Sequence, residues 1–273
     1  MNGLKGKNQI RKFRQVAQTL VREISQIEGV AGIIFVGGLA RGFADKYSDV
    51  DVIVFLGKND GELKKRVRKV ESDEAKRSCL DIDLEIHNLV DFRKRKLDEV
   101  FLWDLSKAEI AFDPDGDISK LLKAKFHVPG SFWLKRLAVY AEYMKWYCCP
   151  RKESVESIAE MWIDRGDSTS AHYCTNYTVD LLVNTLFALN KEFLPAPKWR
   201  IFYSYELKWL PKHYERFVKE AIEVKDLSKH SLVQRIDVLK QMWNETMPKI
   251  EQETKLTMDA LSRYYVKTEL KQT

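Results

Sequence analysis

The stretch whose reading decides the fold is FVGGLARGFADKYSDVDVIVF, residues 35–55. An apolar run ends in Gly37-Gly38. A short segment follows, and then Asp49 and Asp51 stand inside a second apolar run. Side chains of a strand alternate between its faces, so Asp49 and Asp51 point one way while Val50, Val52 and Val54 point into a core. Two ionised carboxylates on one face repel each other and are stable as anions with a cation between them. Magnesium suits the position, because it takes hard oxygen ligands and keeps several waters or substrate phosphates in its shell.

The flanking sequence supplies the scaffold. Residues 8–27 place apolar side chains at helical spacing, and the β-branched GVAGIIFVGG that follows reads as a strand. LARGFA is a short helix or turn and DVDVIVFLG a second strand. Residues 61–78 form a charged helix, and CLDIDLEIHNL, 79–89, alternates as a third strand. Asp81, Asp83 and Glu85 share one of its faces. If the two acidic strands are neighbours, up to five carboxylates line one patch, more like charge than a solvated sheet face needs. The competing reading is an exposed face balanced by lysines. Gly37-Gly38 weighs against it, since glycine there lets backbone N–H groups approach a phosphate, and Arg41, one turn along, can reach a phosphate oxygen. Residues 90–107 read as a helix, and 108–125 as a strand, a turn at Asp113–Gly116 and a helix.

Near residue 128 the character changes. HVPGS is a natural linker, and beyond it come only helical patterns, at 131–148, 152–164, 169–191, 200–209, 211–223, 227–247 and 250–268. The expected architecture is α+β: a small mixed β-sheet domain at 1–128, then an all-α helical bundle at 129–273. The net charge of +6 and pI near 8.9 fit an anionic substrate such as a nucleotide, and equally fit plain solubility. Cys79, Cys148, Cys149 and Cys174 lack CxxC spacing, which argues against a zinc site or a disulfide framework. No run reaches membrane-spanning length and the start lacks an apolar signal core, so the chain is read as soluble and cytoplasmic.

GGLARGFADKYSDVDV resembles the signature of the nucleotidyltransferase superfamily with the DNA polymerase β-like palm: a glycine pair, a short helix, then Asp-x-Asp on a strand. The branch it looks most like contains the aminoglycoside and lincosamide nucleotidyltransferases, with a minimal catalytic domain and a C-terminal helical bundle. The likeness covers roughly residues 30–90. It implies that Asp49 and Asp51 hold Mg2+, one ion or two, against the triphosphate of an NTP donor, with ATP preferred. It further implies that Gly37, Gly38, Arg41 and Ser48 contact the nucleotide. A third carboxylate assists the metal or deprotonates the attacking hydroxyl, and the context LEIHNL favours Glu85, then Asp83, over Asp81. Many members carry serine at the position of Gly38. The reaction implied is transfer of an NMP group, with pyrophosphate leaving, to a hydroxyl of a small molecule. Members of this branch can build one active site from two chains, so a homodimer is among the implied partners. A long RNA acceptor would want a broader basic track.

In the helical half, Arg165 and His172 in WIDRGDSTSAHYCTNY are candidate acceptor contacts, whereas Asp167 and Ser168 read as helix caps. Lys198 is a candidate phosphate contact beside Trp199. The spacing of Arg165 and His172 also loosely resembles the Arg…His pair of the helical RNases called HEPN domains, a rival function. Protein or RNA acceptors are further alternatives. His87 is expected to be structural and to face away from Glu85. Trp133, Trp146 and Trp162 are expected in the bundle core.

Overall fold

The computed structural model describes residues 4–149 and 156–268. The chain divides into two compact units, one ending at His127 and the other beginning at Val128. The first holds α1 (Ile10–Ile24), β1 (Val30–Phe35), α2 (Gly37–Arg41), β2 (Val50–Leu56), α3 (Gly61–Ser78), β3 (Ile82–Asn88), α4 (Leu89–Lys94), α5 (Glu99–Ser106), β4 (Glu109–Phe112) and α6 (Asp117–Phe126).

The four strands form one mixed sheet in the order β3-β2-β1-β4. β1 runs antiparallel to β2 and β4, while β2 and β3 are parallel, joined through α3. Alternation along β2 explains why the sheet is covered on both faces. Val50, Val52, Val54 and Leu56 pack with Phe13, Ala17 and Leu20 of α1 and with Leu63 and Val67 of α3. Ile53 and Phe55, on the Asp51 side, pack under Phe92 of α4, Leu105 of α5 and Leu121 of α6. The carboxylate face is therefore short: past Asp51 it becomes core. The register Val50↔Ile82, Asp51↔Asp83, Ile53↔Glu85 follows, because a one-residue slip would put β3 carboxylates against α3.

The segment expected as a single helix at 90–107 is two, α4 and α5. Asp98 caps α5 by accepting a hydrogen bond from the Phe101 N–H at 2.8 Å.

The second unit contains α7 (Gly130–Tyr147), α8 (Ile158–Asp164), α9 (Ser168–Leu189), α10 (Pro197–Ser204), α11 (Tyr214–Ile222), α12 (Lys229–Thr254) and α13 (Met258–Thr268). The helix expected at 152–164 is seen from Ile158 onward, and its first residues lie outside the described ones. α9 is the spine of this unit and buries residues around most of its circumference, among them Val179, Leu182, Leu186 and Phe187. The break expected near residue 247 lies instead at 255–257, with Pro248 inside α12. A proline inside a helix costs about 3 kcal/mol. Complete burial of Ile250 just beyond it offsets that cost. Trp133 and Trp162 pack against the core. Trp146, in contrast, is 58% exposed, and its indole N–H donates to Glu142 at 2.9 Å. Among the described residues no helix is long and apolar enough to cross a membrane.

Gly32 marks the tightest point of the first core. A Cβ there would lie 2.2 Å from Ile118 Cγ1 and 3.0 Å from the Phe112 carbonyl oxygen. Gly32→Ala is expected to lower stability by about 1–3 kcal/mol through overpacking. The readout is the urea midpoint, with Gly57→Ala as a near-neutral control, since its Cβ would stand 3.7 Å from the closest atom.

Candidate active site

Asp49, Asp51 and Asp83 converge. Each offers a carboxylate oxygen, and these three atoms lie within 4.8 Å of one another. Asp51 and Asp83 are register partners on the parallel strands β2 and β3, and Asp49 stands at the entry to β2. Asp49 and Asp83 are exposed, Asp51 half-buried.

The glycine pair shapes this site. Gly37 has φ +54°, and a Cβ on it would sit 1.7 Å from Asp51 Oδ2. The Asp51 carboxylate occupies the place a side chain would need. Gly38 donates its N–H to Asp51 Oδ2 at 3.3 Å, and a Cβ on it would meet the Phe43 carbonyl oxygen at 2.7 Å. The serine common at this position in similar proteins would therefore require the 38–43 turn to shift. The turn is tied to the N-terminal segment. Asn8 donates to the Gly42 carbonyl at 3.1 Å and accepts from the Ala44 N–H at 3.2 Å. No motif in the sequence announced this strap.

The electrostatics are those of like charges gathered against only partial compensation from Arg41 and Arg68. The Asp51 carboxyl is pushed up to about 7, chiefly by burial and then by Asp49, with Asp83 adding and the Gly38 N–H and Arg41 opposing. Asp83 is raised by burial, then by Asp49 and Glu85, against Arg68. Arg68 reaches the Asp83 neighbourhood from α3 and donates to the Leu84 carbonyl at 2.7 Å.

The structure gathers Asp83, not the favoured Glu85, with the Asp pair. Glu85 lies opposite Ile53, one step further along β3, and Asp81 also stands outside the trio. Glu85 Oε2 is 2.7 Å from His87 Nε2. The expectation that His87 faces away is overturned by strand parity itself, since residues two apart share a face. The hydrogen bond from His87 is the main cause of the lowered Glu85 pKa, with the charges of His87 and Arg95 assisting against burial.

The other candidates are placed as follows. Arg41 donates to Asp104 Oδ1 at 2.7 Å and lies over the Trp103 ring at 5.4 Å, with its side chain 11% exposed. Asp104 went unnoticed because an acid inside an apolar helix carries no motif. Ser48 closes the turn before Asp49: its Oγ accepts from the Asp45 N–H at 3.0 Å and lies 3.3 Å from Asp45 Oδ1. Lys198 belongs to the helical unit, exposed at the start of α10, with Nζ 6.0 Å from the Trp199 ring. Arg165 is exposed over the Trp162 ring at 4.8 Å. His172 contacts the buried Arg235 instead, Nδ1 to Nη1 at 2.8 Å, and Asn176 at 3.0 Å. Burial, and then the Arg235 charge, lower its pKa. Arg165 and His172 thus make separate contacts, Arg165 over Trp162 and His172 with Arg235 and Asn176. Asp167 caps α9, accepting from the N–H groups of Thr169 and Ser170, both at 3.0 Å.

A strand, a glycine turn and an acidic trio on adjacent parallel strands bring together groups that could hold a metal ion. Residues 17–109 match the nucleotidyltransferase domain family, and this part of the chain is a nucleotidyltransferase domain, whose reaction class is transfer of an NMP group. Residues 95–200 match a domain of unknown function (DUF4037). No curated protein matches the chain. Among solved structures, a nucleotidyltransferase-like protein from Exiguobacterium sibiricum 255-15 is similar over 87% of this chain and 77% of its own, at 10% identity and a TM-score of 0.43.

The raised Asp51 pKa gives a test. A divalent cation needs the ionised carboxylate, so Mn2+ affinity followed by EPR is expected to fall about tenfold per pH unit below ~7 and to level off above it. Asp51→Asn is expected to stabilise the metal-free protein. The folded-state value of about 7 lies above the ordinary aspartate value of 3.8, so ionisation costs the fold progressively as pH rises through that window. The gain of the Asn variant grows across the same window to about 1–3 kcal/mol at pH 8, measured by urea denaturation.

Proposed function

We propose that this protein is a Mg2+-dependent nucleotidyltransferase that moves AMP from ATP to a hydroxyl of a small molecule. The observation that carries the reading is the convergence of Asp49, Asp51 and Asp83 within 4.8 Å beside the Gly37-Gly38 turn. The residues fit the ion: all three donors are hard carboxylate oxygens, and the proton that Asp51 retains up to about pH 7 is the cost of gathering them without a cation. A bound Mg2+, or a pair, supplies charge neutralisation for the triphosphate and for the in-line displacement.

The chain's own residues divide the remaining work. Asp49, Asp51 and Asp83 hold the ion. Gly37 and Gly38 keep the turn bare of side chains so that phosphate can approach. Ser48 fixes the turn that delivers Asp49. Arg41, anchored by Asp104, contributes positive charge near Asp51. Glu85, the next carboxylate along that face and held ionised by His87, takes the hydroxyl proton. The hydroxyl oxygen forms a bond to the α-phosphorus, the α–β bridging bond breaks, and pyrophosphate leaves with the electron pair.

Asp49→Asn and Asp51→Asn are each expected to lower AMP transfer by about 10^3-fold or more. They should also abolish the Mg2+-dependent rise in melting temperature with ATP. Asp83→Asn should weaken metal binding, whereas Glu85→Gln should lower kcat and leave Mg2+–ATP affinity intact. Unchanged turnover in the Asp49→Asn variant would overturn the reading.

A further inference from the structure

The carboxylate face of β3 changes sign along its length. Asp83 belongs to the metal-holding trio, and Glu85 and His87 follow on the same side. At the C-terminal ends of the parallel strands β2 and β3 lies a cavity of about 310 Å³ lined by Lys64, His87, Arg95, Asn59, Asn88 and Asp91, among others. Cavities at the carboxyl ends of parallel strands are recurrent ligand positions. Here the wall carries two permanent cations and a histidine against one acid.

The Lys64 side chain and the backbone at Arg95 are anchored. Lys64 Nζ donates to Asn59 Oδ1 at 2.8 Å. Lys125 Nζ donates to the backbone carbonyls of Arg93 at 3.0 Å and Arg95 at 2.5 Å, pinning the segment that carries the Arg95 side chain. The Arg95 guanidinium lies 5.8 Å from the Phe101 ring. The His87 ring packs 4.8 Å from Phe92 and 6.2 Å from Phe55. Among the described residues neither Lys64 nor Arg95 is in an ion pair. The pocket thus gathers positive charge beside Glu85, on which the Arg95 charge already acts. Glu85 Oε2 lies 2.7 Å from His87 Nε2, so the base and the near wall of the pocket are in contact.

From this we infer that the acceptor is a small hydroxyl compound bearing an anionic group, phosphate or carboxylate, seated against Lys64, His87 and Arg95 while its hydroxyl reaches Glu85. The inference rests on the nucleotidyl-transfer reading for the hydroxyl end and on this pocket for the anionic end. It sets the acceptor apart from polycationic antibiotics, which the same residues repel. A sugar phosphate or a hydroxy acid carries both groups on one small molecule.

Two measurements test the two ends separately. Inorganic phosphate is titrated into metal-free, ATP-free protein, and the imidazole signals are followed by NMR in wild type and in the Lys64→Ala/Arg95→Ala variant. The His87 signal is expected to shift in wild type and to shift at least tenfold less sensitively in the variant. Pyrophosphate release is then measured with Mg2+–ATP and four acceptors: glucose 6-phosphate, citrate, glucose and kanamycin. The anionic acceptors should turn over, and the double substitution should raise their KM at least tenfold with no change in the KM for ATP. A His87 signal insensitive to phosphate, or turnover of glucose or kanamycin in preference to both anions, overturns the inference. Pyrophosphate release from none of the four, with a phosphate-sensitive His87, would count against nucleotidyl transfer and uphold the anion seat.

Discussion

Like-charge repulsion among Asp49, Asp51 and Asp83 is the constraint on which the first unit depends. Three carboxylates held within 4.8 Å raise the free energy of the metal-free fold. Something must hold them there against that repulsion. The holding force is the two-faced burial of β2, where Val50, Val52 and Val54 are locked on one side and Ile53 and Phe55 on the other. Slipping or twisting the strand to relieve the carboxylates would expose one of these sets.

The glycine turn follows from the same crowding. Asp51 needs room on its α2 side, and the Gly37 position provides it because no Cβ is there. The left-handed φ at Gly37 keeps that position closed to most other residues. Arg41 completes the arrangement from within, drawn off by Asp104 yet near enough to temper the negative charge on Asp51.

Much of this was legible from residues 35–55 and 79–89. The period-two pattern assigned the strands, and parity put Asp49 with Asp51 on one face and Asp81, Asp83 and Glu85 together on another. The elements that failed are those where a local signal competed with distant packing. The helical pattern read at 227–247 stops short, but α12 runs on through Pro248 with Ile250 buried. The acids and bases of 90–107 read as one helix, yet Asp98 starts a new one. Trp146 reads as core and stands in solvent, tethered to Glu142.

By itself the sequence determined that two acidic strands and a glycine turn would form, because alternation, β-branching and glycine placement act over a few residues. Only the tertiary structure decided which third carboxylate joins the pair. That choice depends on the parallel register of β2 and β3, which sets Asp51 against Asp83 and Glu85 against Ile53. Register is fixed by packing against α1, α3 and α4–α6, and no local pattern encodes it. The same is true of the partner of His172, which sequence spacing linked to Arg165 and folding brought to Arg235, sixty-three positions away. Side chains distant in the chain meet only when the core between them has closed.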